Sequence, residues 1–271
     1  MIERKPDYQR SIVNLASTFL KHFNCQTYHE EYPLEGSFEG ILQHAKKIVI
    51  FLIDGMGYEK FTKMNEELNF QDVLKVSSVF PTTTAAAVTS WFTARTPKEH
   101  GLLGYILYLR EIGSITNMIE FSYPGIEGGM FSNMIKKRVH RLENVFDALR
   151  EKELYGGVLT HSSIANSGLS YLTHRNGHIM SYYYMGDLLA TLKKRLSEDW
   201  TGILYVYWGH LDGLGHRKGP DSDAYEIEMK RILTELKRFS EESLDEETLL
   251  VITSDHGMIQ IPPARNNFLK P

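Results

Sequence analysis

A chain of 271 residues is long enough to bury a substantial core, in one large domain or in one domain with a sizeable insertion. Hydrophobic residues at 42% and charged residues at 24% exclude a disordered or fibrous chain. Thirty Lys and Arg against 34 Asp and Glu, a formal net charge of -4, leave no basic excess for holding a nucleic-acid scaffold; bound divalent cations could still supply the positive charge a phosphate substrate needs. The single cysteine, Cys25, excludes an internal disulfide and any Cys-rich zinc module, and it is expected as a small buried or loop residue in a reducing compartment. The N-terminus M-I-E-R-K-P-D-Y-Q-R leads into no apolar run of signal-peptide type, and no later stretch reaches about 18 apolar residues, so a cytoplasmic protein without membrane contact is expected.

Helical patterning around Ile12 to Phe23 and a polar stretch with Pro33 and Gly36 read as a lead-in without chemistry. From Lys46, K-K-I-V-I-F-L-I-D is short, apolar and β-branched, as a strand buried on both faces of an α/β sheet should be, and it ends on Asp54. V-S-S-V-F-P-T-T-T predicts a second short strand broken by Pro81, and A-A-A-V-T-S-W-F-T-A-R a helix with Thr84 at its start. G-I-L-Y-V-Y-W-G-H-L-D predicts another strand, the Ala224 to Ser240 stretch an amphipathic helix, and T-L-L-V-I-T-S-D-H-G a third long buried strand. This rhythm is that of a parallel sheet. Between about residues 105 and 199, Gly-rich turns such as P-G-I-E-G-G and the cluster S-Y-Y-Y-M predict a cap-like insertion. With no repeat or long polar linker, residues 1–271 read as a single α/β domain.

Three predicted strands end in residues of metal-ligand type: Asp54, then Asp212 with His216, then Asp255 with His256. Ligands of open α/β sheets gather at the carboxyl ends of strands, so side chains remote in sequence can converge there. One strand-terminal Asp before Gly is usually a turn former, but three such ends with two histidines favour metal ligation. Asp212 and His216 are four residues apart, so one helical turn could aim both at one ion. Oxygen and imidazole donors without cysteine suit Zn²⁺, with Mn²⁺ as a substitute. His210 is expected to be structural or to support a ligand, and His29, His44, His100, His140, His161, His174 and His178 to have surface or packing roles. In F-P-T-T-T-A-A-A, one of Thr82, Thr83 and Thr84 is either an N-cap or a nucleophile, a hydroxyl activated by the helix dipole and a neighbouring metal.

I-F-L-I-D-G-M-G, F-P-T-T-T with a later H-G, Y-W-G-H-L-D-G-L-G-H and T-S-D-H-G-M occur in this order from Ile50 to Met258. Together they resemble the nucleotide pyrophosphatase/phosphodiesterase family of the alkaline phosphatase superfamily. The resemblance implies a mostly parallel sheet flanked by helices and a two-metal site, with Asp54, Thr84, Asp255 and His256 on one ion and Asp212 and His216 on the other. It implies Thr84 as the nucleophile, Thr82 being the second candidate, and a covalent phospho-threonine intermediate that water hydrolyses. The substrate would be a small phosphate ester or nucleotide.

The chain departs from that pattern in places. Tyr105 stands in H-G-L-L-G-Y where nucleotide-cleaving members carry an Asn that helps hold the phosphoryl oxygen, which makes Tyr105 a candidate substrate-binding residue. A-A-A replaces the family's F-P-N-H after the nucleophile. No histidine follows His256 before Pro271, so a chain truncated relative to the family, with a second metal site short of a ligand, is expected. Phosphomonoester or phosphonate hydrolysis by the same machinery, and a catalytically impaired metal-binding remnant, are the alternatives.

Overall fold

The computed structural model describes residues 5–34, 37–110, 112–126 and 143–261. His140 and part of the P-G-I-E-G-G turn lie outside them. Strand β1 (Lys47–Ile53) is buried at every position after the first. Its alternation explains why: Ile48, Ile50 and Leu52 enter one hydrophobic core, Val49, Phe51 and Ile53 another on the opposite face. β6 (Gly202–Trp208) pairs with one side of β1 and β7 (Thr248–Thr253) with the other. β4 (Tyr155–His161) follows β6, and β5 (His178–Tyr182) forms the far edge, giving the order β5-β4-β6-β1-β7 with every pair parallel.

Helices cover both faces. α1 (Ile12–His22), α4 (Thr84–Thr93) and α6 (Val145–Glu151) pack on one through Phe19, Trp91, Phe92 and Phe146. α8 (Met185–Leu196) and α10 (Asp223–Ser243) fill the other, with the apolar side of α3 (Tyr58–Leu68) against them. α2 (Ser37–His44) contributes Leu42 to the first core. Beyond the sheet, α5 (Pro97–His100), α7 (Gly168–Thr173) and the antiparallel hairpin β2 (Ile106–Leu109) and β3 (Ser114–Asn117) surround a small cluster of Ala85, Leu102, Met118, Phe121 and Leu169. No described helix is long and apolar enough to cross a membrane.

Three expectations need correction. The predicted insertion at about 105–199 is not one block, because β4 and β5 within it are strands of the central sheet. β4 is illegible as an apolar run because it carries Gly156 and Gly157; a Cβ on Gly156 would lie 2.5 Å from the Phe146 ring of α6, so helix packing excludes a side chain there. The predicted strand around Val76 to Thr84 makes only a single parallel bridge, Ser77 to Ser11, since its backbone groups bond the start of α1 (Ile12 N to Ser77 O, 3.0 Å; Ser77 N to Arg10 O, 2.8 Å). β7 is an edge strand of six residues and only partly buried, its Leu249 and Val251 packing toward one core and its Leu250 and Ile252 toward the other. Within S-Y-Y-Y-M, Tyr182 is fully buried while Tyr183 and Tyr184 face solvent.

Candidate active site

The carboxyl end of β1 opens into the turn D-G-M-G, where Gly55 and Gly57 adopt positive φ of 76° and 68°. At Gly57 the reason is proximity: a Cβ there would lie 2.6 Å from the Gly257 Cα, in the turn that follows β7. Tyr225 of α10 donates its hydroxyl to the Gly55 carbonyl at 2.8 Å. The Gly55 N–H donates to Asp255 Oδ1 at 3.2 Å, so the two strand-end turns are bonded to each other.

The three threonines before α4 divide their tasks. Thr82 donates to the Val79 carbonyl (2.8 Å). Thr83, extended at φ -129° and ψ 150°, is the N-cap, its Oγ1 accepting from Ala86 N. Thr84 is the first helical residue, with no capping to do, and its Oγ1 lies 3.2 Å from His256 Nε2 and 3.4 Å from Asp54 Oδ2. Behind it Ala85, Ala86 and Ala87 are fully buried, leaving no room for larger side chains on the first turn.

Asp54, Asp255 and His256 each offer one ligand atom, all within 4.8 Å of one another, the only such group of three or more among the described residues. Each aspartate has one oxygen tied to protein donors and one free. Asp255 Oδ1 accepts from the N–H of Gly55 and of His256, while Oδ2 has no hydrogen-bond partner. Asp54 Oδ2 accepts the Tyr207 hydroxyl, while Oδ1 has none. His256 Nδ1 faces the Gly257 carbonyl at 3.2 Å, which places the proton on that nitrogen and leaves the Nε2 lone pair toward the aspartates and Thr84. Burial pushes the Asp54 carboxyl well above the usual range, and the charges of Asp255 and Asp212 push it further; burial raises Asp255 as well. Unpartnered carboxylate oxygens crowded together out of water are the donor set that a divalent cation fits.

Asp212 and His216 stand apart from this group. Both lie on α9 (His210–Lys218), one turn beyond the end of β6, with His216 Nε2 3.4 Å from Asp212 Oδ1. Asp212 Oδ1 is buried without a hydrogen-bond partner, and a Cβ on Gly55 would lie 3.1 Å from it, so its carboxylate borders the Asp54 turn. His216 is exposed, and among the described residues no third ligand joins the pair. An open cleft of about 900 Å³ runs past Thr84, Asp212, His216 and His256. Tyr105 lines its wall, its hydroxyl accepting from Asn117 Nδ2 at 3.1 Å, and Arg217 and Lys218 line its rim.

Two site residues are not legible in the sequence, Tyr207 and Tyr225, because each reads as an apolar position of its strand or helix. Their only signal is that a buried hydroxyl must find a partner. His210 packs at a tilt against Trp208 (4.5 Å between centroids) and edge-on to His161 (5.3 Å). His100 is structural: Leu102 N–H donates to its Nδ1, so Nε2 carries the proton and donates to Ser90 Oγ at 2.9 Å. Cys25 is buried.

A parallel sheet with helices on both faces, and acidic and imidazole groups gathered at its carboxyl ends, defines an α/β protein with a candidate metal site at the strand ends. The chain belongs to the type I phosphodiesterase / nucleotide pyrophosphatase family, whose sequence model matches residues 48–270. No curated protein sequence matches it. Among solved structures it resembles human ectonucleotide pyrophosphatase/phosphodiesterase 5 at 18% identity and a TM-score of 0.62, covering 81% of this chain and 59% of that one. The murine counterpart, solved as an inactive threonine-to-alanine variant in complex with AMP, gives 16% identity and a TM-score of 0.59 over the same shares. The likeness establishes a shared fold, and the chain spans about 59% of the length of these relatives.

Proposed function

We propose that the chain is a metal-dependent phosphoric ester hydrolase of the phosphodiesterase/nucleotide pyrophosphatase type, with Thr84 Oγ1 as nucleophile. One observation carries this reading: the Thr84 hydroxyl, released from capping by Thr83, lies within 3.4 Å of both Asp54 Oδ2 and His256 Nε2, beside two unpartnered carboxylate oxygens. Family membership supports it, as does the murine relative described as inactive after a threonine-to-alanine change and bound to AMP.

Asp54, Asp255 and His256, with Thr84, would hold one divalent cation, and Asp212 with His216 would supply ligands to a second; Zn²⁺ suits the donors and Mn²⁺ can replace it. Such ions supply Lewis acidity, polarising the phosphoryl oxygens and acidifying a ligated hydroxyl. Thr84 sits on the first turn of the ten-residue α4, where the helix dipole favours a developing alkoxide. Its proton faces Asp54 Oδ2, which retains a lone pair beside the one used by Tyr207. As the proton moves to that oxygen, Oγ1 attacks phosphorus in line, a P–O bond forms and the bond to the leaving oxygen breaks, giving phospho-threonine and the departing alkoxide or phosphate anion. Water then attacks phosphorus and gives up one proton, which neutralises the departed leaving group, the bond to Oγ1 breaks, and the proton held on Asp54 returns to Thr84. Arg217 and Lys218 on the cleft rim favour a leaving group that is itself anionic.

Turnover of an aryl phosphodiester, an aryl phosphomonoester, a nucleotide pyrophosphate and phosphonoacetate, measured side by side with added Zn²⁺, tests the reading. Preference for diester or pyrophosphate, lost in Thr84→Ala, is expected. A dominant monoester or phosphonate rate would replace the substrate class, and turnover unaffected by Thr84→Ala would overturn the mechanism.

A further inference from the structure

Tyr207 lies near the carboxyl end of β6, directly beside β1, and its hydroxyl donates to Asp54 Oδ2. The neighbouring oxygen, Asp54 Oδ1, has no hydrogen-bond partner and faces His256 Nε2 at 3.4 Å. A carboxylate at a chain turn rotates about its last bond unless one oxygen is held, and no other side-chain donor among the described residues lies closer to Oδ2, the Thr84 hydroxyl being 3.4 Å away. Asp255 is held the same way by two backbone N–H groups on Oδ1, leaving Oδ2 free. The two aspartates therefore share one design, with one oxygen anchored by the protein and the other presented to the centre. For Asp255 the anchor is backbone; for Asp54 it is a single side chain.

We infer that Tyr207 is a positioning residue that anchors Asp54 Oδ2 and so presents Asp54 Oδ1 as a ligand to a divalent cation. This rests on the metal-centre reading of Asp54, Asp255 and His256 given above. Two residues earlier on the same face of β6, Tyr205 provides a built-in contrast: it is buried where Tyr207 is partly buried, and its hydroxyl has no hydrogen-bond partner. Removing that oxygen alters a buried tyrosine near the centre without touching a ligand.

The experiment compares Tyr207→Phe and Tyr205→Phe with the wild type, with no catalytic assay involved. Zn²⁺ affinity is measured by competition with a chromophoric chelator, the visible spectrum of bound Co²⁺ is recorded, and thermal melting of the metal-free proteins reports folding. Loss of the anchoring hydroxyl is expected to weaken Zn²⁺ binding by about 10–100-fold. The Co²⁺ spectrum should change with it, while the metal-free melt stays near that of the wild type. Tyr205→Phe should keep wild-type affinity and spectrum. Unchanged affinity in Tyr207→Phe, or an equal loss in Tyr205→Phe, overturns the inference while leaving the metal centre standing. A wild-type protein that binds no Zn²⁺ overturns the metal-centre reading and this inference together. A metal-free Tyr207→Phe that melts well below the wild type assigns the hydroxyl to the fold and overturns the inference; where it folds, Asp54→Asn provides a second comparison, since Tyr207→Phe added to it must cause little further loss of affinity, and additive losses again overturn the inference.

Discussion

Thr84 Oγ1 and His256 Nε2 lie 3.2 Å apart although 172 residues separate them in the chain. Replacing Thr84 by alanine is expected to lower kcat by a factor on the order of 10⁴ or more with the fold intact, because no other hydroxyl of the F-P-T-T-T segment faces the centre. Thr83→Ala should instead cost about 1 kcal/mol of stability through loss of the N-cap. Kinetics and thermal melts on both variants check the division, and a catalytic collapse in Thr83→Ala with full activity in Thr84→Ala would reverse it.

Asp54 and Asp255 are buried together; burial raises both carboxyls, and the charge of Asp255 raises Asp54 further. Metal-free Asp255→Asn is therefore expected to be more stable than metal-free wild type by about 1–3 kcal/mol, since a neutral amide removes the like-charge term. Added Zn²⁺ should reverse the order: at one thousand times its Kd it stabilises the wild type by about 4.1 kcal/mol and the variant far less. Chemical denaturation with and without chelator measures both signs.

Two buried histidines are held neutral, His100 with its pKa lowered to about 4 and His174 to about 3, in both cases through burial. The unfolded chain takes up these protons near the ordinary value of 6.5 and the folded protein does not. Their contribution is thus complete above about pH 6.5 and is lost as pH falls toward the folded values, at about 1.4 kcal/mol per pH unit for each. His174, whose ring packs against Phe92 at 5.1 Å, gives a direct check. Between pH 7 and 5 the wild type should lose about 2 kcal/mol more than His174→Leu; the subtraction cancels the contributions of other titrating groups. Parallel stability curves would refute it.

Gly57→Ala tests the close approach of the two strand-end turns. A methyl group 2.6 Å from the Gly257 backbone, at a φ of 68°, must separate the turns that carry Asp54 and His256. A loss of about 2 kcal/mol or more in stability, with weakened Zn²⁺ binding, is expected. Retention of both would show that the turns tolerate separation.

Much of this organisation is local and therefore legible in the residues. The apolar run ending on Asp54, the helix beginning at Thr84 and the amphipathic stretch of α10 follow from periodicity and propensity acting over a few residues, so the sequence by itself determined the central strands and the chemistry at their ends. β4 and β5 are not legible locally because their places depend on distant partners: Gly156 is small to admit Phe146, and β5 is an edge strand with three exposed residues in five. Only the tertiary structure decided which of three adjacent threonines caps, which bonds Val79 and which faces His256, since all three are equivalent at the start of a helix. It likewise decided which oxygen of Asp54 is held and by what. Tyr207 looks like one more apolar residue of β6 until parallel pairing with β1 sets it beside the carboxylate, a relation between side chains 153 residues apart that no local rule contains.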